Sequence, residues 1–164
     1  MTPTEPLWTA RLDLEPLTVD HAAEAARAFD DDRLHTFTGG GPATEDELRD
    51  RYTRQVAGQS PDGGEIWLNW MLRHRETGEL VGTVQATVTG DAAELAWVVV
   101  VPHQGRGYAR EAALVVRDRL RDDGVARFTA HIHPDHAASA GVARALGMAP
   151  TSTLVDGEVR WADG

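Results

Sequence analysis

Residues 103–112 read HQGRGYAREA. Gly105 and Gly107 lack a Cβ, so the chain can turn tightly there and aim several backbone N–H groups at one anion. Arg106 and Arg110 stand beside the turn and can add charge-assisted hydrogen bonds. The segment then enters a predicted helix, whose first N–H groups and positive dipole end also favour an anion. Residue types alone leave two readings: a phosphate cradle, or a glycine turn joining strand to helix. The apolar run from Leu95 to Val101 immediately upstream favours the cradle, with a pyrophosphate-containing cofactor as its occupant. Two familiar phosphate loops do not fit. A Walker-type loop needs Lys followed by Ser or Thr, and the dinucleotide fingerprint needs a third glycine where Arg110 stands.

A second constellation is His131, His133 and His136. The first two have the spacing of one strand face, and the third lies beyond a proline. With no clear carboxylate partner they make a poor metal site, and no metal is expected. The plain reading is a set of polar residues on a half-exposed strand.

The elements that must position these groups follow from hydrophobic period. RLDLEP at 11–16 alternates and ends at proline, as a short strand does. A helix is predicted over 19–29 with Thr18 as its cap, and a second from the capping box Thr44/Glu47 through about Val56. The polar stretch FDDDRLHTFTGGGP lies between them, as a candidate substrate-side loop whose acidic residues Asp30–Asp32 suit a cationic acceptor. Three strands follow as a meander at 66–74, 79–88 and 95–101. Trp67 and Trp70 fall on opposite faces of the first of these, so one of them belongs to the core. A helix from Ala109 to about Asp122 buries Ala112, Ala113, Val116 and Leu120 and stops at Gly124. A strand at 127–133, a helix from Ala137 to Leu146 and a hairpin turning at Asp156-Gly157 complete the chain. This order predicts an α+β fold: a mixed, mostly antiparallel central sheet with helices on both faces.

The 164 residues suit a single domain over 1–164, and 41% hydrophobic with 26% charged residues is ordinary for a globular protein. The formal charge of −10 argues against a nucleic-acid partner, and no run is long enough to span a bilayer. The first residues lack the basic flank and apolar stretch of a signal peptide, so a cytoplasmic location is expected. There is no cysteine, which excludes disulfides, thiolate metal sites and a cysteine nucleophile. Nothing here fixes oligomeric state, and a homodimer stays open.

AELAWVVVVPHQGRGYAREAA closely resembles the acetyl-CoA-binding core of the GNAT superfamily of N-acetyltransferases. The family's Gln/Arg-x-x-Gly-x-Gly/Ala loop is matched by Gln104, Gly107 and Ala109, and HPDHAASAGVARALGM resembles its later Asn-x-x-Ser segment. The front end TARLDLEPLTVDHAAE is similar to the branch containing ribosomal-protein N-terminal (alanine) acetyltransferases. The resemblance implies acetyl-CoA as acetyl donor. It implies that the strands at 95–101 and 127–133 splay apart, with pantetheine pairing near Trp97 and Val99. The pyrophosphate would rest on the N–H groups of 104–109, that is Gln104, Gly105, Arg106, Gly107, Tyr108 and Ala109. His136 and Ser139 would lie beside the cofactor.

Acetyl transfer needs a neutral amine and a polarised thioester. Glu94, opening the splayed strand, is the candidate base; it can instead bind the ammonium, or be a plain strand-end charge. His133 is a second candidate for proton transfer. Two positions depart from the family: His136 replaces asparagine, and Ala143 stands where many relatives carry a tyrosine acid. The expected activity is direct transfer to a primary amine, on a protein N-terminus or a small molecule. A non-catalytic acyl-CoA-binding module is the alternative.

Overall fold

A computed structural model describes residues 4–36 and 40–163; Phe37, Thr38 and Gly39 of the candidate substrate-side loop lie outside them. One eight-stranded sheet runs through the described residues in the order β1-β2-β3-β4-β5-β6-β8-β7. The strands are β1 Leu7–Trp8, β2 Leu12–Pro16, β3 Ile66–His74, β4 Leu80–Thr89, β5 Ala92–Val99, β6 Arg127–Ile132, β7 Met148–Val155 and β8 Glu158–Asp163. Neighbours are antiparallel except β5 and β6, which run parallel. The helices are α1 His21–Ala28, α2 Glu45–Gln55, α3 Tyr108–Asp122 and α4 Ala137–Ala145.

Helices cover both sheet faces because alternate residues of the central strands are apolar in both directions. On β3, Leu68, Trp70 and Leu72 join the larger core with α3 and α4, while Met71 faces a second cluster with Ala22, Ala25, Leu48 and Tyr52 of α1 and α2. Trp70 is the core tryptophan, and its indole N–H donates to the Glu5 carbonyl at 2.7 Å. Trp67 stays half-buried on the other face.

Local chemistry sets the boundaries. The capping box forms as its spacing predicts: Thr44 Oγ1 accepts from Glu47 N–H, and Glu47 Oε1 accepts from Thr44 N–H. At α1 the expectation is corrected. Thr18 does not cap the helix; the His21 ring reaches back and accepts from the Thr18 N–H at 2.9 Å. Helix α3 ends in a Schellman motif at Gly124, with Val125 N–H bonded to Leu120 C=O and Gly124 N–H to Arg121 C=O. Strand β5 begins earlier than its apolar run and stops at Val99. Pro102 supplies no N–H to a ladder, and residues Val101–His103 form a 3₁₀ turn instead. The closing hairpin turns at Asp156 (φ 50°) and Gly157 (φ 82°), the pair of positive angles that suits a two-residue hairpin loop.

Candidate active site

The site begins where β5 and β6 part. They are paired only at Ala92–Arg127, Ala93–Phe128 and Glu94–Thr129, yet β5 continues to Val99 and β6 to Ile132. On its other side β5 stays joined to β4 throughout, and the Val100 N–H donates to the Val81 carbonyl at 2.9 Å. Main-chain groups alternate along an antiparallel ladder, so the bond at Val100 fixes the phase. Even-numbered residues of β5 face β4, whereas Leu95, Trp97 and Val99 turn their main-chain groups toward the gap.

The gap opens into a cleft of about 1080 Å³ that is lined by β5, β6, the glycine loop and the starts of α3 and α4. That is at the upper end of the volumes small-molecule sites offer. Gly105 and Gly107 have left-handed φ of +79° and +83°, and a Cβ at Gly105 would meet no atom within 4 Å. The turn therefore leaves its backbone open to the cleft, ahead of the first N–H groups of α3. Such a loop fits a pyrophosphate.

The candidate cofactor residues come together here, with different parts to play. Gln104 lines the cleft with its side chain, whose Nε2 donates to the Val99 carbonyl at 3.0 Å and ties the loop to the strand end. That occupies one of the main-chain groups expected to face pantetheine. The Gln104 N–H donates to the Val101 carbonyl at 3.2 Å, which withdraws that donor from the expected cradle. Tyr108 is buried, with the Arg11 guanidinium 4.5 Å from its ring centroid and His74 edge-on at 5.7 Å, so its side chain packs the base of the loop. Ala109 and Arg110 line the cleft, but Arg106 is exposed and does not.

Across the gap, Trp97 Nε1 donates to Ser139 Oγ at 3.3 Å, joining β5 to α4. His136 takes over the capping task of an asparagine: its Nδ1 accepts from the Ser139 N–H at 3.2 Å at the start of α4. Burial, with a smaller contribution from His133, holds the His136 pKa below its ordinary 6.5, favouring the neutral ring that capping requires. Ala143 is fully buried in the core, so the position offers no side chain to the cleft.

Glu94 lies at the last paired rung, and one of its oxygens contacts the Nδ1 of His131. Sequence reasoning missed this partner. The two residues are far apart in the chain, and only the parallel register Glu94–Thr129 sets His131 on the same face two residues further on. His133 lies one residue beyond β6, where its Nδ1 accepts from the Asp135 N–H at 3.1 Å. It lines the cleft but does not continue the strand face expected for it. The 3₁₀ turn Asp32–His35 and the β7–β8 hairpin also line the cleft, contributing Arg33, Leu34, Asp156 and Glu158. Of the loop acids, Asp31 is held by Arg33, with Oδ2 2.7 Å from a guanidinium nitrogen.

The family model described as "Acetyltransferase (GNAT) domain" matches residues 11–149. The chain belongs to the GNAT acetyltransferase family. This GNAT protein is an enzyme of acetyl transfer, and its family uses acetyl-CoA. Its fold is shared with solved structures. A GNAT-family acetyltransferase from Bacillus anthracis superposes with a TM-score of 0.80 at 17% identity, covering 96% of this chain and 97% of that one. An acetyltransferase from Agrobacterium tumefaciens gives 0.77 at 24% identity, covering 100% and 96%. RimL, a ribosomal alpha-N-protein acetyltransferase in complex with coenzyme A, gives 0.79 at 15% identity, covering 96% and 97%. No curated protein matches the sequence significantly. No helix among the described residues is long and apolar enough to cross a membrane.

Proposed function

We propose that this GNAT enzyme transfers an acetyl group from acetyl-CoA directly to a primary amine held in the same cleft, on a protein N-terminus or a small molecule. One observation carries the reading. The sheet parts beyond Glu94, the odd-numbered main chain of β5 turns into the opening, and the opening ends on a glycine loop at a helix N-terminus.

Acetyl-CoA supplies the activated acetyl group as a thioester. The glycine loop and the first N–H groups of α3, with Arg110 beside them, hold pyrophosphate. Leu95 and Trp97 offer main-chain groups to the pantetheine arm and to the thioester oxygen. Glu94 takes a proton from the incoming ammonium: an N–H bond breaks and an O–H bond forms on the carboxylate, leaving the nitrogen lone pair free to attack. His131 fixes the orientation of that carboxylate. Glu94, Asp156 and Glu158 all line the cleft, and Arg33 there is already paired with Asp31, a balance that suits a cationic amine. The nitrogen attacks the thioester carbonyl carbon, so a C–N bond forms as the C–S bond breaks. The acylated nitrogen sheds its second proton and the departing thiolate takes up one, exchanged through solvent, since the buried Ala143 supplies no acid.

The deciding experiment measures coenzyme A release from acetyl-CoA across a panel of N-terminal peptides, polyamines and amino acids. Turnover on at least one amine, lowered about a hundredfold in the Glu94→Gln variant, is the expected result. Tight acetyl-CoA binding with no turnover on any amine overturns the reading in favour of a binding module.

A further inference from the structure

Arg11 stands 95 residues before the glycine loop in sequence and touches it in space. Its side chain makes two directed contacts. The Nε donates to Glu111 Oε1 at 2.9 Å, and Nη2 donates to the Arg106 carbonyl at 2.9 Å. The same guanidinium lies over the Tyr108 ring, and the Arg11 backbone N–H donates to Glu111 Oε2 at 3.2 Å. The Thr9 hydroxyl also donates to Glu111 Oε2, and the Arg11 carbonyl accepts from Arg75 N–H. The arginine is therefore fixed at its backbone and at both ends of its guanidinium.

The bond to the Arg106 carbonyl has a directional consequence. In a trans peptide the C=O and the following N–H point in opposite directions. Holding the Arg106 oxygen against Arg11 therefore turns the Gly107 N–H the other way, and Gly107 lines the cleft. Rotation of that one peptide would replace a donor with a carbonyl oxygen, which repels phosphate. Rotation changes ψ at Arg106 and φ at Gly107, and Gly107 carries no Cβ to oppose it.

We infer that Arg11 is a positioning residue for the pyrophosphate cradle, locking the Arg106–Gly107 peptide with its N–H toward the anion. This rests on the acetyl-CoA reading above. Arg11 contributes nothing to the acceptor side or to Glu94, so its effect is confined to donor affinity.

The test uses the full chain and its Arg11→Gln and Arg11→Lys variants, with coenzyme A affinity by calorimetry and steady-state kinetics on both substrates. A lysine ammonium keeps the charge beside Glu111 but lacks the planar fork that serves both acceptors. Both variants are expected to raise the coenzyme A Kd and the acetyl-CoA KM about tenfold, with kcat and the amine KM within about threefold. A folded variant whose coenzyme A Kd stays within about twofold of wild type overturns the inference. So does an equal loss in kcat, or failure of both variants to fold, since each assigns Arg11 to general structure. Wild-type protein that binds no coenzyme A refutes the acetyl-CoA reading itself, and is recognised before any variant is made.

Discussion

Glu94 and His131 meet across the last rung at which β5 and β6 are still joined. Beyond that rung the strands separate, so the pair sits at the apex of the cleft. A carboxylate there is close to where the acyl group of a ligand in the gap would end. Its imidazole partner limits the directions in which that carboxylate can point.

Glu94→Gln is expected to lower kcat by about a hundredfold while leaving the acetyl-CoA KM within about twofold, because only proton removal is lost. Steady-state kinetics with each substrate varied separates the two effects.

His131→Gln is expected to cost about tenfold in kcat, less than loss of the carboxylate itself. Residues that act as a unit are not additive. The double variant with Glu94→Gln should therefore be no slower than Glu94→Gln alone. A fully multiplicative loss in that cycle would show that the two residues act independently.

Arg110→Ala is expected to weaken coenzyme A binding about fivefold or more, whereas Arg106→Ala changes it less than about twofold. The sequence makes the two arginines equivalent flanks of one turn, but only Arg110 lines the cleft. Calorimetric titration of both variants decides between them.

The His136 ring carries a pH dependence whose sign is fixed. Its pKa in the folded protein lies below the ordinary 6.5, so below that pH the unfolded chain binds the proton more readily. The contribution to stability is fully present above about pH 6.5 and is lost as pH falls toward the folded value. Protonation also removes the Nδ1 acceptor that caps α4. Thermal midpoints measured between about pH 7.5 and pH 5.5 should fall more steeply for wild type than for His136→Asn, whose amide caps without titrating.

Gly82 lies where β4 shifts register against β3, and an added Cβ would come 2.2 Å from the Val98 carbonyl oxygen. That oxygen is backbone and cannot swing aside. Gly82→Ala is expected to cost about 1–3 kcal/mol and to lower the thermal midpoint by several degrees. Calorimetry reads the loss. Because the displaced segment is the cleft-lining part of β5, coenzyme A affinity should fall with it.

What the sequence revealed divides along a physical line. Strand and helix positions were legible because they depend on local period: Ile66–His74, the Thr44/Glu47 box and the Asp156-Gly157 turn appear where their residues predict. The glycine loop was legible for the same reason, its chemistry being packed into a few consecutive residues. Contacts between distant segments were not. The Glu94–His131 pair depends on parallel register, and Arg11 reaches Arg106 only because β2 passes behind α3. The two-residue strand β1 has too short a pattern to register at all. The Gln104 N–H, expected in the cradle, is instead taken by the Val101 carbonyl at 3.2 Å, because the 3₁₀ turn before it closes on that group.

The parting of β5 from β6 places an incomplete strand edge inside the sheet rather than at its rim. Exposed edges invite pairing with other chains, and β7, at the true rim, is such an edge. The inner edge faces the cleft between β6 and α4. A ligand carrying its own amides would bridge that opening as a missing strand does. Ligand arrival would then be read most directly in the sheet itself, as slower hydrogen exchange at the amides of Leu95, Trp97 and Val99.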